Sequence, residues 1–483
     1  SNYSALRRYP NPLNPAATQR GIELTHEAYK KHLGDLHSYI EAYFTDEPSL
    51  NAVNIGTIPS DVQQRVFIAD PLDENVPLLP MLAWSDELEK MNFNKKSLFT
   101  GDSEADKAER QRFWSTAARL NTDYYYRAIQ DWCRKNDVLS SGHTLHEENL
   151  LGHIPLDGNK ISVLRAMDIP GLDLLNSNPS GFRYGQWKTC GFPASAAALN
   201  GTRLVFTEIS DFAQKMGGDK KPAPLSWMYA AAASQAAFGI TEFTLYYRID
   251  DRPLEQYRAY CRYVGRLNAV LREAKPVYDV LLFYPVSAMQ REYRPTAEPL
   301  NIKNQSETAQ MISQSFEEIG TRLVRNQVPF VIADEQGIKD WKKMHGDSPM
   351  VIVPRGVELP KEIKGDVFEI NEALFDEISG VFAASPAATQ PSTDIILGLF
   401  SRDDYTIYLL VNIADKPYQG KMRLPFWNEK MSAALLFPDT GAQQSVTMEK
   451  GELPISLEPL QSVFVVMLNG QVRWGWGYSF QRL

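Results

Sequence analysis

Cysteine is scarce in this chain of 483 residues: Cys133, Cys190 and Cys261 are the only three, and no C-x-x-C pair occurs. That excludes a disulfide scaffold, gives no support to a thiolate zinc site, and leaves at least one thiol unpaired. Long apolar runs are missing too, and none approaches the ~20 residues that a membrane-crossing helix requires. No secretion signal stands at the start. For a chain that opens on Ser-Asn-Tyr and not on Met, that decides nothing about location. Clustered basic charge is absent: 50 Lys and Arg are scattered among 59 Asp and Glu, for a net charge of -9. A nucleic-acid partner would ordinarily leave a basic patch or a fold motif, and the sequence has neither. A glycine-rich phosphate loop and a Gly-x-Ser-x-Gly elbow are also lacking, which argues against nucleotide binding and serine-hydrolase chemistry.

What the chain does have is carboxylates where strands end. Asp46-Glu47-Pro48 follows the strand-like Glu41-Ala42-Tyr43-Phe44. Glu147-Glu148 comes soon after Ser141-Gly142-His143, and Glu208 follows Arg203-Leu204-Val205-Phe206-Thr207. Two carboxyl groups on a rigid scaffold, one protonated and one ionised, are the usual equipment for breaking a glycosidic bond. The 9 Trp and 22 Tyr suit either sheet packing or a carbohydrate cleft, where a flat apolar face with a polar handle matches a sugar ring.

The chain reads as multidomain α/β. Asn14 as N-cap, Pro15 in the first turn and Gly34 as terminator predict a helix over 14–34. Residues 49 to 105, rich in proline, read as a long excursion, and a long helix is expected over 105–135. Five strands are expected in the first 275 residues, ending near Glu47, Ser141, Asp168, Thr207 and Tyr247. The segment Asp168-Ile169-Pro170-Gly171-Leu172-Asp173 is itself turn-rich. A (β/α)8 TIM-barrel-like catalytic domain needs eight strands. The expectation is therefore a barrel whose first strands are missing here and come from an upstream segment or another chain. Residues 276–388 read as a small α/β, flavodoxin-like domain with continuous apolar strands, and 389–483 as a C-terminal antiparallel β-sandwich. The first domain spans 1–275.

The runs Asn11-Pro12-Leu13-Asn14-Pro15, Ile22-Glu23-Leu24-Thr25-His26-Glu27-Ala28-Tyr29 and Phe44-Thr45-Asp46-Glu47-Pro48-Ser49 together resemble one group of enzymes. Trp132-Cys133, Ser141-Gly142-His143, His146-Glu147-Glu148 and Pro170-Gly171-Leu172-Asp173 extend the resemblance over roughly residues 10 to 250. The group is the large bacterial glycoside hydrolases related to calcium-dependent α-L-rhamnosidases. The layout after residue 276 also resembles some barrel β-galactosidases. The resemblance implies a barrel with β-rich accessory modules, removal of a terminal sugar from an oligo- or polysaccharide, and a periplasmic or extracellular location. It places Glu47 as general acid and Glu147 as general base, and implies a Ca2+ ion that Glu148 or Glu147 would suit better than either histidine, Glu148 being the candidate ligand.

The residues leave alternatives open. Glu147 as base of an inverting reaction competes with Glu208 as nucleophile of a retaining one. His143 and His146 are candidates to bond a sugar hydroxyl or steady a carboxylate; the plainer reading is a histidine satisfied by a backbone carbonyl. Their spacing lacks the third ligand and helical context of a zinc site. Asp168, Asp173, Arg165 and Trp187 are further pocket candidates, although turn chemistry alone would explain the two aspartates. His26 and Glu27 read as structural. A different class, a non-catalytic carbohydrate-binding or structural module derived from such an enzyme, is the main rival.

Overall fold

A computed structural model describes residues 9–54, 78–216, 221–278, 280–346, 348–371, 392–423, 431–446 and 451–469, with Ala373 and Met448. The expected domain junction around Pro386 to Pro391 lies outside these. The chain divides into two compact units, and each is described by itself. The first holds 1–171, 284–315 and 355–358; the second holds 172–283, 316–354 and 359–483.

The first unit begins as its sequence dictates. Asn14 caps the helix Pro15–Leu24, its side chain accepting from the Ala16 N–H, and Pro15 occupies the first turn. The expected single helix over 14–34 is in fact two. Pro15–Leu24 and His26–Leu33 meet at Thr25, whose Oγ1 donates to the Gly21 carbonyl and also bonds His26 Nδ1. Strand β1 (Ala42–Thr45) follows and pairs in parallel with β2 (Leu139–Gly142), in register from Ala42↔Leu139 to Thr45↔Gly142. His26 stacks on Tyr43 at 4.5 Å, and the Trp132 indole donates to Glu27 at 2.6 Å. His26 thus ties its helix to the strand and Glu27 ties it to the helix Ala128–Lys135, as expected of structural residues.

Between the two strands runs the expected long helical stretch. Ser103 and Asp106 form a capping box for the helix Glu104–Asn121, a π-helical turn spans Thr122–Arg127, and Ala128–Lys135 completes it. The fully buried Arg110 guanidinium donates to the carbonyls of Ser97, Gly101 and Arg291. It thereby ties the helix to the later segment of this unit.

Strand β3 (Ile169–Leu174) corrects the reading of 168–173 as turn-rich. Pro170 and Gly171 look like turn residues locally. Yet Ser141↔Ile169 and Gly142↔Pro170 pair in parallel, and five of the six β3 residues are buried. Burial on both faces outweighs local turn preference here. With β4 (Phe206–Ile209) and β5 (Glu242–Leu245) the sheet order is β1-β2-β3-β4-β5. The parallel sheet is partly open; four of its five strands lie where the sequence put them, and the third begins at Ile169, just beyond the Asp168 near which it was expected to end.

In the second unit β4 and β5 pair in parallel, Phe206↔Glu242 to Ile209↔Leu245. β6 (Lys275–Pro276) joins an antiparallel sheet described below. A second parallel sheet comprises β7 (Val280–Phe283), β8 (Phe330–Ala333), β9 (Met350–Val353) and β10 (Phe368–Asn371), in the order β10-β9-β7-β8. β7 and β8 are buried throughout, as continuous apolar runs require.

The remaining strands are antiparallel: β11 (Ile395–Arg402), β12 (Tyr405–Asn412), β13 (Tyr418–Arg423), β14 (Met431–Leu436), β15 (Gln443–Val446), β16 (Glu452–Leu457) and β17 (Ser462–Asn469). They form the sheets β15-β14-β17-β12-β11-β6 and β13-β16. Met422, Leu453, Ile455 and Leu457 of the small sheet share one core with Tyr408, Leu410, Val463 and Val465 of the large one. That is a sandwich-like arrangement, produced by strict alternation along β16.

Burial pushes the phenol groups of Tyr126, Tyr247, Tyr260, Tyr263 and Tyr293 up from their ordinary value. Raised folded-state values mean that the unfolded chain loses these protons first. Stability is then fully present below pH ~10 and is lost as pH rises beyond it, by up to ~1.4 kcal/mol per pH unit for each group. Alkaline titration followed by phenolate absorbance and circular dichroism is expected to show these tyrosines ionising together with unfolding. Smooth ionisation near pH ~10 in folded protein would contradict it.

Candidate active site

Parallel pairing of β1 and β2 brings two carboxylate-bearing loops to the same end of the sheet. The approach is tightest at Gly142, whose φ is +154°. A Cβ there would lie 2.2 Å from the Thr45 carbonyl oxygen, so a side chain is excluded. One residue on, the His143 N–H donates to that same carbonyl at 3.2 Å. The strands therefore stay locked where they end, and Asp46-Glu47 and His143 to Glu148 emerge side by side.

His143 is the centre of this arrangement. Its ring is buried, with Nε2 3.4 Å from Asp46 Oδ1 and Nδ1 3.8 Å from Glu147 Oε1. Phe44 packs beside it at 5.5 Å between ring centroids. Glu147 is only 4% exposed, whereas Glu47 is half-buried and Asp46 is open to solvent. Both loops contain a non-glycine residue in the left-handed region, Glu47 at φ +43° and His146 at φ +55°. Such conformations cost about 1–3 kcal/mol each and persist where the surroundings impose them, which is commonest at working sites.

The surroundings that impose them come from residues that sequence reasoning passed over. Tyr126, set in the π-helical turn, donates its hydroxyl to the Pro48 carbonyl at 3.1 Å and fixes the chain just after Glu47. Burial, reinforced by the nearby Asp157 charge, holds this phenol in its neutral, donating form. His153 bonds the Glu147 carbonyl through Nε2 at 3.0 Å and the Tyr284 hydroxyl through Nδ1 at 3.0 Å. A carbonyl can only accept, so Nε2 carries a proton. Lys160 donates to Thr144 Oγ1 at 2.6 Å and to the Leu145 carbonyl at 2.9 Å. It is completely buried and ion-paired with the equally buried Asp157 at 2.7 Å. Burial pushes the Asp157 carboxyl up from its ordinary value, and Lys160 opposes that shift. A lysine beside an apolar run gives no sign in sequence of such a role; Asn159, the N-cap of the helix Lys160–Arg165, was the one local signal.

Other sequence candidates lie elsewhere. Asp168 stands at the N-terminal end of β3, the opposite end from Glu47. There its carboxylate accepts from Gln130, Arg134 and the Ser140 N–H and hydroxyl, a structural clamp. Arg165 ends the helix that leads to the same N-terminal side. His146 and Glu148 are exposed, 4.0 Å apart. Glu148 offers one hard oxygen donor, but among the described residues no group of three or more His, Cys, Asp or Glu is placed to hold a metal ion. Calcium takes about 6–8 oxygen ligands, so these residues alone do not compose its cage.

In the second unit Glu208 lies in β4 opposite Thr244, half-buried, and Asp173 is half-buried in β3. Trp187 is fully enclosed. Its indole packs against Phe316 and Phe330 and donates to Thr321 Oγ1, and a Cβ on Gly320 would meet its ring at 2.1 Å. No face of this indole is open to a sugar.

Removing one partner of a buried ion pair leaves an uncompensated charge, at a cost of about 3–5 kcal/mol. Lys160→Met is therefore expected to destabilise the protein by that amount in urea unfolding. Adding Asp157→Leu is expected to restore much of the loss. A double variant no more stable than Lys160→Met would refute the pairing.

No family model matches the chain, and no curated protein matches it in sequence. Solved structures do match in fold. A rhamnosidase from Novosphingobium sp. PP1Y aligns with a TM-score of 0.59 at 13% identity, over 96% of this chain and 48% of that one. A β-galactosidase from Bacillus circulans sp. alkalophilus aligns with a TM-score of 0.55 at 8% identity, over 95% of this chain and 83% of that one. The chain thus spans about half the length of the rhamnosidase. At these identities the likeness is one of fold. It reaches rhamnosidase and β-galactosidase folds alike and does not single out the rhamnosidase side of the resemblance drawn from sequence.

Proposed function

We propose that the chain is the catalytic part of a glycoside hydrolase that removes a terminal sugar, an α-L-rhamnoside or related glycoside, from an oligo- or polysaccharide. The observation that carries this reading is that β1 and β2 end side by side, so that the loop bearing Glu47 and the loop bearing Glu147 leave the same end of the sheet, with Asp46 and Glu147 on the two nitrogens of the buried His143. In barrel enzymes that end is where catalysis takes place. Glu47, the less buried of the two, protonates the departing glycosidic oxygen. Glu147 removes the proton from a water that attacks the anomeric carbon from the opposite face. The products are the inverted sugar and the shortened alcohol, and the two carboxyls are returned by proton exchange with solvent. Asp46 and His143 keep the loops in position, while His146 and Asp173 stand as candidates to bond sugar hydroxyls. A substrate of this kind is met most often outside the cytoplasm, so a periplasmic or extracellular location belongs to the same proposal.

A second reading takes Glu208 as the nucleophile of a retaining exo-glycosidase, with Glu47 as acid. Its support is the position of Glu208 in β4 and the fold likeness to a β-galactosidase.

A panel of aryl glycosides decides between them. Glu47→Gln and Glu147→Gln are each expected to lower kcat by at least ~100-fold, the usual reach of general acid–base catalysis. Glu208→Gln is expected to leave it within a few-fold, and NMR of the first-formed anomer to show inversion. Loss of activity in Glu208→Gln, with retention, would establish the second reading instead. Should every glycoside be left uncut by the wild-type chain, the hydrolase proposal fails and a binding or structural module remains.

A further inference from the structure

The second unit contains a cavity of about 540 Å³ that the carboxylates do not line. It opens where the loop Gly201–Val205 enters β4 and where Gly239 precedes β5, at the N-terminal ends of these strands. Glu208 lies toward the other end of β4. Barrel enzymes place chemistry at the C-terminal ends, so this cavity is not a reaction centre of that kind. Its volume falls in the range of ~300–1,000 Å³ usual for small-molecule sites.

Its walls select a class of ligand. On one side are Trp341, Tyr278 and His345, the His345 ring stacked on Trp341 at 4.0 Å and Tyr278 edge-on at 6.2 Å. The floor is alanine from the helix Trp187–Leu199, smooth enough for a flat ring to lie against. Arg203 and Lys275 supply positive charge at the margin, and Arg203 is already engaged with the Glu273 carbonyl and carboxylate at 3.0 and 3.3 Å. Among the described residues no Asp or Glu lines the cavity.

Three helices also end there: Trp187–Leu199, Leu225–Ala237 just before Gly239, and Glu335–His345. Helix C-termini present carbonyl oxygens and a negative end of roughly half a charge each. They offset the two cations. A phosphate or other polyanion would face three helix C-termini, and a cationic ligand would face Arg203 and Lys275. A neutral ring bearing many hydroxyls meets neither objection. Its hydroxyls need both donors and acceptors, which the side chains of Thr202, Arg203, Lys275 and Tyr278 in the lining carry, and its C–H face packs on aromatic and alanine surfaces.

We infer that this cavity is a secondary binding site for a neutral oligosaccharide, separate from the carboxylates of the proposed active site. The substrate class rests on the glycosidase reading, but the site itself is tested by binding alone. The full chain carrying Glu47→Gln is titrated by calorimetry and tryptophan fluorescence with β-1,4-galactotriose, cellotriose and, as the acidic counterpart, trigalacturonate. At least one neutral trisaccharide is expected to bind saturably. Trp341→Ala, and separately Ala198→Phe to fill the cavity, are each expected to weaken that binding by about tenfold or more, ~1.4 kcal/mol. Melting temperatures show that both variants fold, and aryl glycoside cleavage in an otherwise wild-type chain is expected to stay unchanged in both.

Binding that survives both variants and disappears with Glu147→Gln would place the sugar at the carboxylates and overturn the inference. So would tighter binding of trigalacturonate than of either neutral sugar, or no binding of either neutral sugar. Neutral binding that depends on Trp341 in a chain that cleaves no glycoside would leave the cavity assignment standing while the hydrolase reading falls.

Discussion

The close approach of Thr45 to Gly142 is the constraint from which the candidate site follows. Two parallel strands in register end together there, and the absence of a side chain at Gly142 lets the His143 N–H reach the Thr45 carbonyl. Everything after those strands inherits this closure. Asp46 and Glu147 come to opposite nitrogens of one buried imidazole, although about a hundred residues of chain separate them. The left-handed turns at Glu47 and His146 are the local cost of leaving the strands this abruptly.

That geometry is held by buried polar groups with matched partners. Tyr126 holds the Pro48 carbonyl, His153 the Glu147 carbonyl, and Lys160 the Thr144–Leu145 segment. A lysine with no exposed surface is costly to bury, and Asp157 makes it tolerable. Together these bonds fix the backbone on both sides of Asp46, His143 and Glu147.

Much of the architecture was legible. The strands at Ala42–Thr45, Leu139–Gly142, Phe206–Ile209 and Glu242–Leu245 carry their own hydrophobic signals and turn boundaries, as do the antiparallel strands near the C-terminal end. The segment 168–173 was misread because Pro170-Gly171 is ordinary turn chemistry to its neighbours. Its strand state comes from pairing with β2 and from burial, neither of which is local. Among candidate residues, Glu47 and Glu147 were proposed because acids after strands form a recognisable pattern; that Asp46, His143 and Glu147 come together is visible only in the fold. Trp187 was proposed for a pocket because a tryptophan suits either a core or a sugar. Only the enclosure by Phe316, Gly320 and Phe330 shows which applies.

The sequence by itself determined the inventory of groups: carboxylates after strands, three cysteines, no glycine-rich phosphate loop and no Gly-x-Ser-x-Gly elbow, in an α/β chain with a β-rich end. It could do so because composition and strand periodicity are properties of neighbours along the chain. Tertiary structure alone decided which acids meet. It paired Asp46 with Glu147 through His143, sent Asp168 to Arg134 at the other end of the sheet, and buried Lys160 against Asp157. Those outcomes depend on strand register and on desolvation, both of which are set by residues distant in sequence and become physical facts only when the chain closes on itself.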